Sequence, residues 1–255
     1  MRRGARAALG HHVVPFVERA ARTTLSRVGR LPRGVDLGHD LRTSFRGYDP
    51  DVVVDVGAMV GDYTATLLRW FPRTHAYAFE PAPTNFQHLA QRFNDDDRVS
   101  CYRIAIGATD REAVVAFDVE DPSRSTTSLA ETNVGTGDAD RVELRRLDGI
   151  CTDLGIDRIG LAKIDTEGGD LDVVRGAHTL LEERRIDLIQ VEAGIDPANH
   201  FHVPIELLKS ELETKGYKLF AIYEQTAEWT RQEPQLRRAD VVFVSPELIE
   251  RSGER

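Results

Sequence analysis

The chain reads as an α/β protein of the doubly wound type, an open and mostly parallel sheet with helices on both faces. Three observations predict this. From residue 50 onward, short β-rich runs alternate with helical patterns. The runs are continuously apolar rather than alternating, as strands buried on both faces require. With 255 residues, 41% of them hydrophobic and 29% charged, the chain is long and apolar enough to fill one sizeable core.

Each element has its own signal. "VVVDVG" is a strand, followed by a helix from about Asp62 to Trp70 that Pro72 closes. "HAYAFEP" is a second strand, and "TNFQHLAQRF" a helix with Phe86, Leu89, Ala90 and Phe93 on one face. "VSCYRIAIG" reads as a third strand. "EAVVAFDVE" through "VELRRL" reads as a strand pair around a polar Ser/Thr/Gly loop, a lid or a plain surface loop. "IGLAKIDTEG" is a fourth parallel-type strand, and a helix follows from Gly169 to about Glu183. "IDLIQVEAG" is the fifth strand, and "PIELLKSELETKG" a helix ended by Gly216. "YKLFAIY" and "ADVVFVS" have no helix between them and are expected to pair antiparallel across a 15-residue connection.

No run approaches the ~18 apolar residues of a membrane span, and the start lacks the apolar core of a signal peptide. Cys101 and Cys151 form no metal or disulfide pattern. Both points predict a cytoplasmic protein. The net charge of −9 is unevenly spread: residues 1–50 carry ten Arg against four acids, and the remainder 23 basic against 38 acidic residues. An acidic body argues against nucleic-acid binding. The basic start places Val13, Val17, Ala20, Ala21, Leu25 and Val28 near helical spacing. It is expected to be a helix packed on the domain or a second subunit, with peripheral contact to an anionic membrane as the alternative. The expected organisation is a basic helical extension at 1–49, one domain at 50–248 and a tail at 249–255.

An open sheet of this kind binds ligands beyond the carboxyl ends of its strands. Four strands end there in acids: Asp55 before Gly57 and Gly61, Glu80 before Pro81, Asp165 in "IDTEG", and Glu192 in "VEAG". Glu80, nineteen residues after Gly61, is placed to accept hydrogen bonds from a ribose diol. Two cofactor classes carry such a diol, nicotinamide dinucleotides and S-adenosylmethionine. The loop is GxxxG with Met59 in the middle, not GxGxxG, and Asp62 at the helix start would repel a pyrophosphate. A methionine moiety brings an ammonium, which Asp55 can meet.

"DVGAMVGDYT", "AFEPAPTNFQHL", "RIAIGATDREAVVAF", "STTSL", Leu147-Asp148, "LAKIDTEGGDLDVVRGA" and "IDLIQVEA" follow one another in this order. Over about residues 50–245 the chain thereby resembles the FkbM family of S-adenosylmethionine-dependent methyltransferases. The resemblance implies the class I methyltransferase sheet, Rossmann-like and seven-stranded, with the seventh strand inserted antiparallel beside the fifth. It implies O-methylation of a sugar, glycolipid, polysaccharide or secondary metabolite. The expected cofactor set is Asp55, Gly57, Ala58, Gly61, Tyr63, Glu80, Pro81, Ala105 and Asp165. The family usually has Asn where this chain has Met59, and a hydrogen bond lost there would cost roughly 0.5–1.5 kcal/mol.

Methyl transfer needs an oriented hydroxyl and a group to take its proton. Asp165, Glu192 and His202 are the catalytic candidates, His202 lying with His200 in a loop just after the fifth strand. Asp165 and Glu192 are also the expected ligands if the enzyme uses Mg²⁺, an open alternative to direct proton abstraction. Lys163, on a buried strand, needs a carboxylate partner, and Glu167 or Asp170 is expected. Gln225, Glu228 and Trp229 are expected near the acceptor, a hydroxylated small molecule or saccharide. A homo-oligomer is compatible with these features. A nicotinamide-dependent reductase and a non-catalytic scaffold on the same fold are the alternatives.

Overall fold

The apolar runs do pair as a sheet. A computed structural model describes residues 31–116, 128–130, 141–227 and 234–253, which fall into two compact units, Met1–Tyr48 and Asp49–Arg255. The basic helix expected over Val13–Val28, and Glu228 and Trp229, lie outside the described residues. In the first unit, helix α1 (Leu37–Ser44) starts where the Asp36 carboxylate accepts the His39 N–H at 2.6 Å.

The second unit is built on seven strands, β1 (Val52–Val56), β2 (His75–Phe79), β3 (Val99–Tyr102), β8 (Ile159–Ile164), β9 (Ile186–Gly194), β10 (Lys218–Ala227) and β11 (Leu236–Val244), in the spatial order β3-β2-β1-β8-β9-β11-β10. The first five are parallel, and β11 runs antiparallel to both neighbours, with Asp240 opposite Glu192. This is the expected arrangement, the seventh strand beside the fifth. Every residue of β8 and β9 is buried, which explains why their sequences show no alternation.

Helices α2 (Asp62–Trp70), α3 (Pro83–Arg92), α4 (Leu147–Leu154), α5 (Asp170–Gly176), α6 (His178–Glu182), α7 (Ile205–Glu213) and α8 (Pro246–Gly253) complete the unit. Leu67 and Leu68 of α2 are buried, and Leu89 of α3 packs with Ala58 and Ala78 against Phe86 and Phe93. Helix α8 runs into the 249–255 segment read as a tail.

Three expectations need correction. Residues 99–106 are not one strand: β3 ends at Tyr102, and β4 (Ile104–Ile106) leaves for a second sheet, ordered β4-β7-β5-β6. There β5 (Arg111–Ala116) and β7 (Arg141–Arg145) form the expected strand pair, antiparallel, and β6 (Ser128–Ala130) pairs with the outer side of β5. Ile104 and Ile106 find a parallel partner in β7, which the edge of the main sheet does not offer. The helix after Gly169 is two helices with Ala177 between them. The last two strands are longer than their apolar runs, and β10 already contains Gln225.

Candidate active site

The carboxyl ends of β1, β2 and β8, with β4 and the turn after it, enclose a cavity of about 610 Å³, within the usual range for a small-molecule site. Gly57 forms its floor. Its φ of +81° is left-handed, and a Cβ there would lie 1.9 Å from the Asp165 carbonyl oxygen, so only glycine lets the β1 turn pass under β8. Gly61 has a similar φ of +83°, and its absent Cβ leaves room for Leu89 of α3 and for Phe93, which caps that helix. The GxxxG spacing therefore serves backbone shape and packing at both glycines.

Glu80 locks this turn. Its Oε2 accepts the Met59 N–H at 2.8 Å and its Oε1 the Ala82 N–H at 2.9 Å. Burial raises the pKa of Glu80, opposed by these amides. The Asn85 side chain adds a third hydrogen bond, so about one of the carboxylate's four lone-pair sites stays open, and the residue lines the cavity with Gly57, Met59, Pro81, Ala105 and Asp165. Phe79, Ile104, Ile106 and Leu144 supply apolar wall. The lining fits S-adenosylmethionine: apolar surface for an adenine, a carboxylate with an open lone-pair site for a ribose hydroxyl, and acids at Asp165, Glu167 and Asp172 for a cationic group.

The other expected cofactor residues sit behind this surface. Asp55 is buried and accepts the Thr64 hydroxyl at 2.5 Å, and burial pushes its carboxyl up to about 6. Ala58 is buried against α3, and Gly61 caps α2. The Tyr63 hydroxyl bonds Gln190, whose amide donates to Asp240. Asp62 is exposed and paired with Arg92 at 2.7 Å.

Lys163 is not paired with Glu167 or Asp170. Its Nζ lies 3.2 Å from Asp165 and 3.4 Å from Asp240. Burial would lower its pKa, and the charges of Asp165, Asp240 and Asp55 outweigh that and raise it. Asp170 is instead fully buried and accepts the Thr166 and Gly168 amides at 2.9 and 3.2 Å, shaping the turn after β8.

Glu192 and His202, two of the expected catalytic residues, do not line the cavity; they meet each other beside Glu167, with Oε2 and Nε2 2.7 Å apart and Arg238 holding the other Glu192 oxygen. Asn199 contacts His202 Nδ1 through its side-chain amide. Burial pushes the His202 pKa below its ordinary value. Glu167, read from the sequence only as a counter-ion, lines the cavity 3.9 Å from His202 Nε2, and burial, followed by the charge of Asp165, raises its pKa. Asp165, expected with Glu192 as the Mg²⁺ pair, is not in the group that converges at ligand distance among the described residues. That group is Glu167, Glu192 and His202. Sequence spacing gave no signal for Thr109 and Arg111, which line the cavity from the second sheet.

Among the described residues no helix is long and apolar enough to cross a membrane. Comparison with known proteins finds methyltransferases. Methyltransferase 1 of Beauveria bassiana is 25% identical over 201 residues, covering 71% of this chain and 76% of that one. The 2-O-methyltransferase NoeI of Sinorhizobium fredii is 27% identical over 151 residues (54% and 61%). The hexuronic acid methyltransferase AglP of Haloferax volcanii is 22% identical over 171 residues (67% of each). The profile of the methyltransferase FkbM domain matches residues 55–219, from the acid of β1 to the second residue of β10, and on that match the chain belongs to the FkbM methyltransferase family.

Proposed function

We propose that the protein is an S-adenosylmethionine-dependent O-methyltransferase acting on a hydroxyl of a sugar, saccharide or other hydroxylated metabolite, with residues 50–248 as its catalytic domain. The observation that carries this reading is the cavity over Gly57 and Glu80, with acids on its rim. The names of NoeI and AglP, both sugar-directed or O-directed, support the choice of acceptor.

S-adenosylmethionine, when bound, supplies an activated methyl group. Glu80 would accept a ribose hydroxyl with the lone pair that Met59, Ala82 and Asn85 leave open. Asp165, held by Lys163 at 3.2 Å, would offer a fixed carboxylate to the cationic end of the cofactor and to the acceptor hydroxyl, and such positioning lowers the barrier to an in-line transfer. Asp165 on the cavity lining would be the first group in reach of the hydroxyl proton, with the Glu192–His202 pair as the alternative where no cation occupies it. The test is to incubate the protein with S-adenosylmethionine and a panel of neutral and acidic saccharides, and to follow S-adenosylhomocysteine. Release above the acceptor-free control for at least one saccharide is expected. Release only with amine or thiol acceptors would sink O-methylation.

A further inference from the structure

The group that Glu167 of the cavity lining forms with Glu192 and His202 has the composition and spacing of a metal site, and Asp165 does not belong to it. We propose that Glu167, Glu192 and His202 bind one divalent transition-metal cation of the Mn²⁺, Fe²⁺, Co²⁺ or Zn²⁺ class. For its chemistry the proposal rests on the methyl-transfer reading, while the binding itself does not.

The first argument is geometric. One ligand atom from each of the three residues lies within 4.8 Å of the others. His202 Nε2 stands 2.7 Å from Glu192 Oε2 and 3.9 Å from Glu167 Oε2. Ligands held about 2.0–2.2 Å from a metal at right angles are about 3 Å apart, so the two distances straddle what a cation needs. Glu167, the exposed member, is the one that would move inward to complete the site.

The second argument concerns what orients the ligands. A metal-bound histidine commonly uses its other ring nitrogen to hold a fixed partner. Asn199 reaches His202 Nδ1 with Nδ2 at 2.9 Å and Oδ1 at 3.1 Å, and its Oδ1 also accepts the Phe201 amide at 3.1 Å; with Oδ1 as the partner, an Nδ1–H leaves Nε2 bare toward Glu192 and Glu167. On the other side, Glu167 has a left-handed φ of +53°, unfavourable for a residue with a Cβ. The next residue, Gly168, presses on the Phe201 carbonyl, which a Cβ would approach to 2.5 Å. The β8 turn is thus packed onto the His202 loop.

The third argument is charge. Arg238 takes one oxygen of Glu192 and leaves Oε2 to the cluster. Asp165 and Asp170 act on both Glu167 and His202. Carboxylates at Glu167, Glu192, Asp165 and Asp170 outnumber the cations Lys163, Arg237 and Arg238 around them. One imidazole among carboxylates selects a borderline metal over Mg²⁺, whose preference is for oxygen alone. At this place a cation would lower the pKa of an oxygen ligand, a substrate hydroxyl included.

The experiment is a titration of the chelator-treated full-length protein with MnCl₂ alone, reading free Mn²⁺ by electron paramagnetic resonance, with Mg²⁺ as competitor. One Mn²⁺ per chain is expected, at least tenfold tighter than Mg²⁺ and weakened at least tenfold in Glu167→Gln, an exposed position whose substitution leaves the fold intact by circular dichroism. Asn199→Ala should weaken binding by about 10–100-fold through the histidine. Absence of saturable Mn²⁺ binding, or binding indifferent to Glu167→Gln, would overturn the site. S-adenosylmethionine is titrated separately, so loss of the metal site and loss of the cofactor reading are told apart.

Discussion

Methionine is a poor choice for a backbone φ of +48°, which Met59 adopts with its side chain 45% exposed. Left-handed backbone costs a residue with a Cβ about 1–2 kcal/mol, and Asn tolerates it best after Gly. This gives a conformational reason for the Asn usual in the family, and Met59 still donates its amide to Glu80 at 2.8 Å. Met59→Asn should therefore stabilise the protein by about 0.5–1 kcal/mol, a rise of about 1–4 °C in Tm, measurable by thermal unfolding. An unchanged or lower Tm would count against the strain argument. Asp55 gives a pH prediction. Its carboxyl, pushed up to about 6 by burial, holds a proton more tightly folded than unfolded. Folding takes up that proton between about pH 4 and pH 6, so stability from this group falls as pH rises through the window, by at most about 3 kcal/mol. Asp55→Asn keeps an acceptor for Thr64 and should flatten this slope in urea midpoints measured across pH 4–7. An identical slope in the variant would remove Asp55 as its source. Residue identities at the strand ends were legible, but their partners were not. Lys163 pairs with Asp240 because β11 returns antiparallel beside β9, a register that no local pattern encodes.

At the scale of elements, Asp148 shows how one residue joins two helices. From the first turn of α4 its carboxylate accepts the Thr179 and Leu180 amides of α6 at 2.9 and 3.0 Å, satisfying amide groups that a helix start leaves open. Leu147 beside it is fully buried in the core, so the Leu-Asp pair is a packing and capping unit. Asp148→Ala should cost about 1–3 kcal/mol, read as a lower urea midpoint with unchanged slope. A loss below about 0.5 kcal/mol would mean that water replaces the cap. Continuous apolar runs made β1, β2, β8 and β9 readable, because burial on both faces leaves few alternatives. Helix α4 was missed since "LDGICTDL" is short and mixes polar with apolar residues, and the apolar run at 99–106 concealed a change of sheet between β3 and β4.

Across the whole molecule, parallel strand order brings four acids to one edge, but the structure divides their surroundings. Glu80 and Asp165 line the cavity, Asp55 lies buried with Thr64, and Glu192 is held by His202 and Arg238. The second sheet closes the cavity with Ile104, Ala105, Ile106 and Leu144, a contribution that depends on the β4–β7 pairing and so lies beyond any motif. The central claim is that this cavity binds S-adenosylmethionine. It is tested most directly by calorimetric titration of the full chain with S-adenosylmethionine, with NADH as control ligand and Glu80→Ala as control variant. Binding at one site per chain in the micromolar range is predicted, with none for NADH and at least a tenfold loss in the variant. Silence toward S-adenosylmethionine at protein concentrations that would register weak binding, or affinity unchanged in Glu80→Ala, would contradict it.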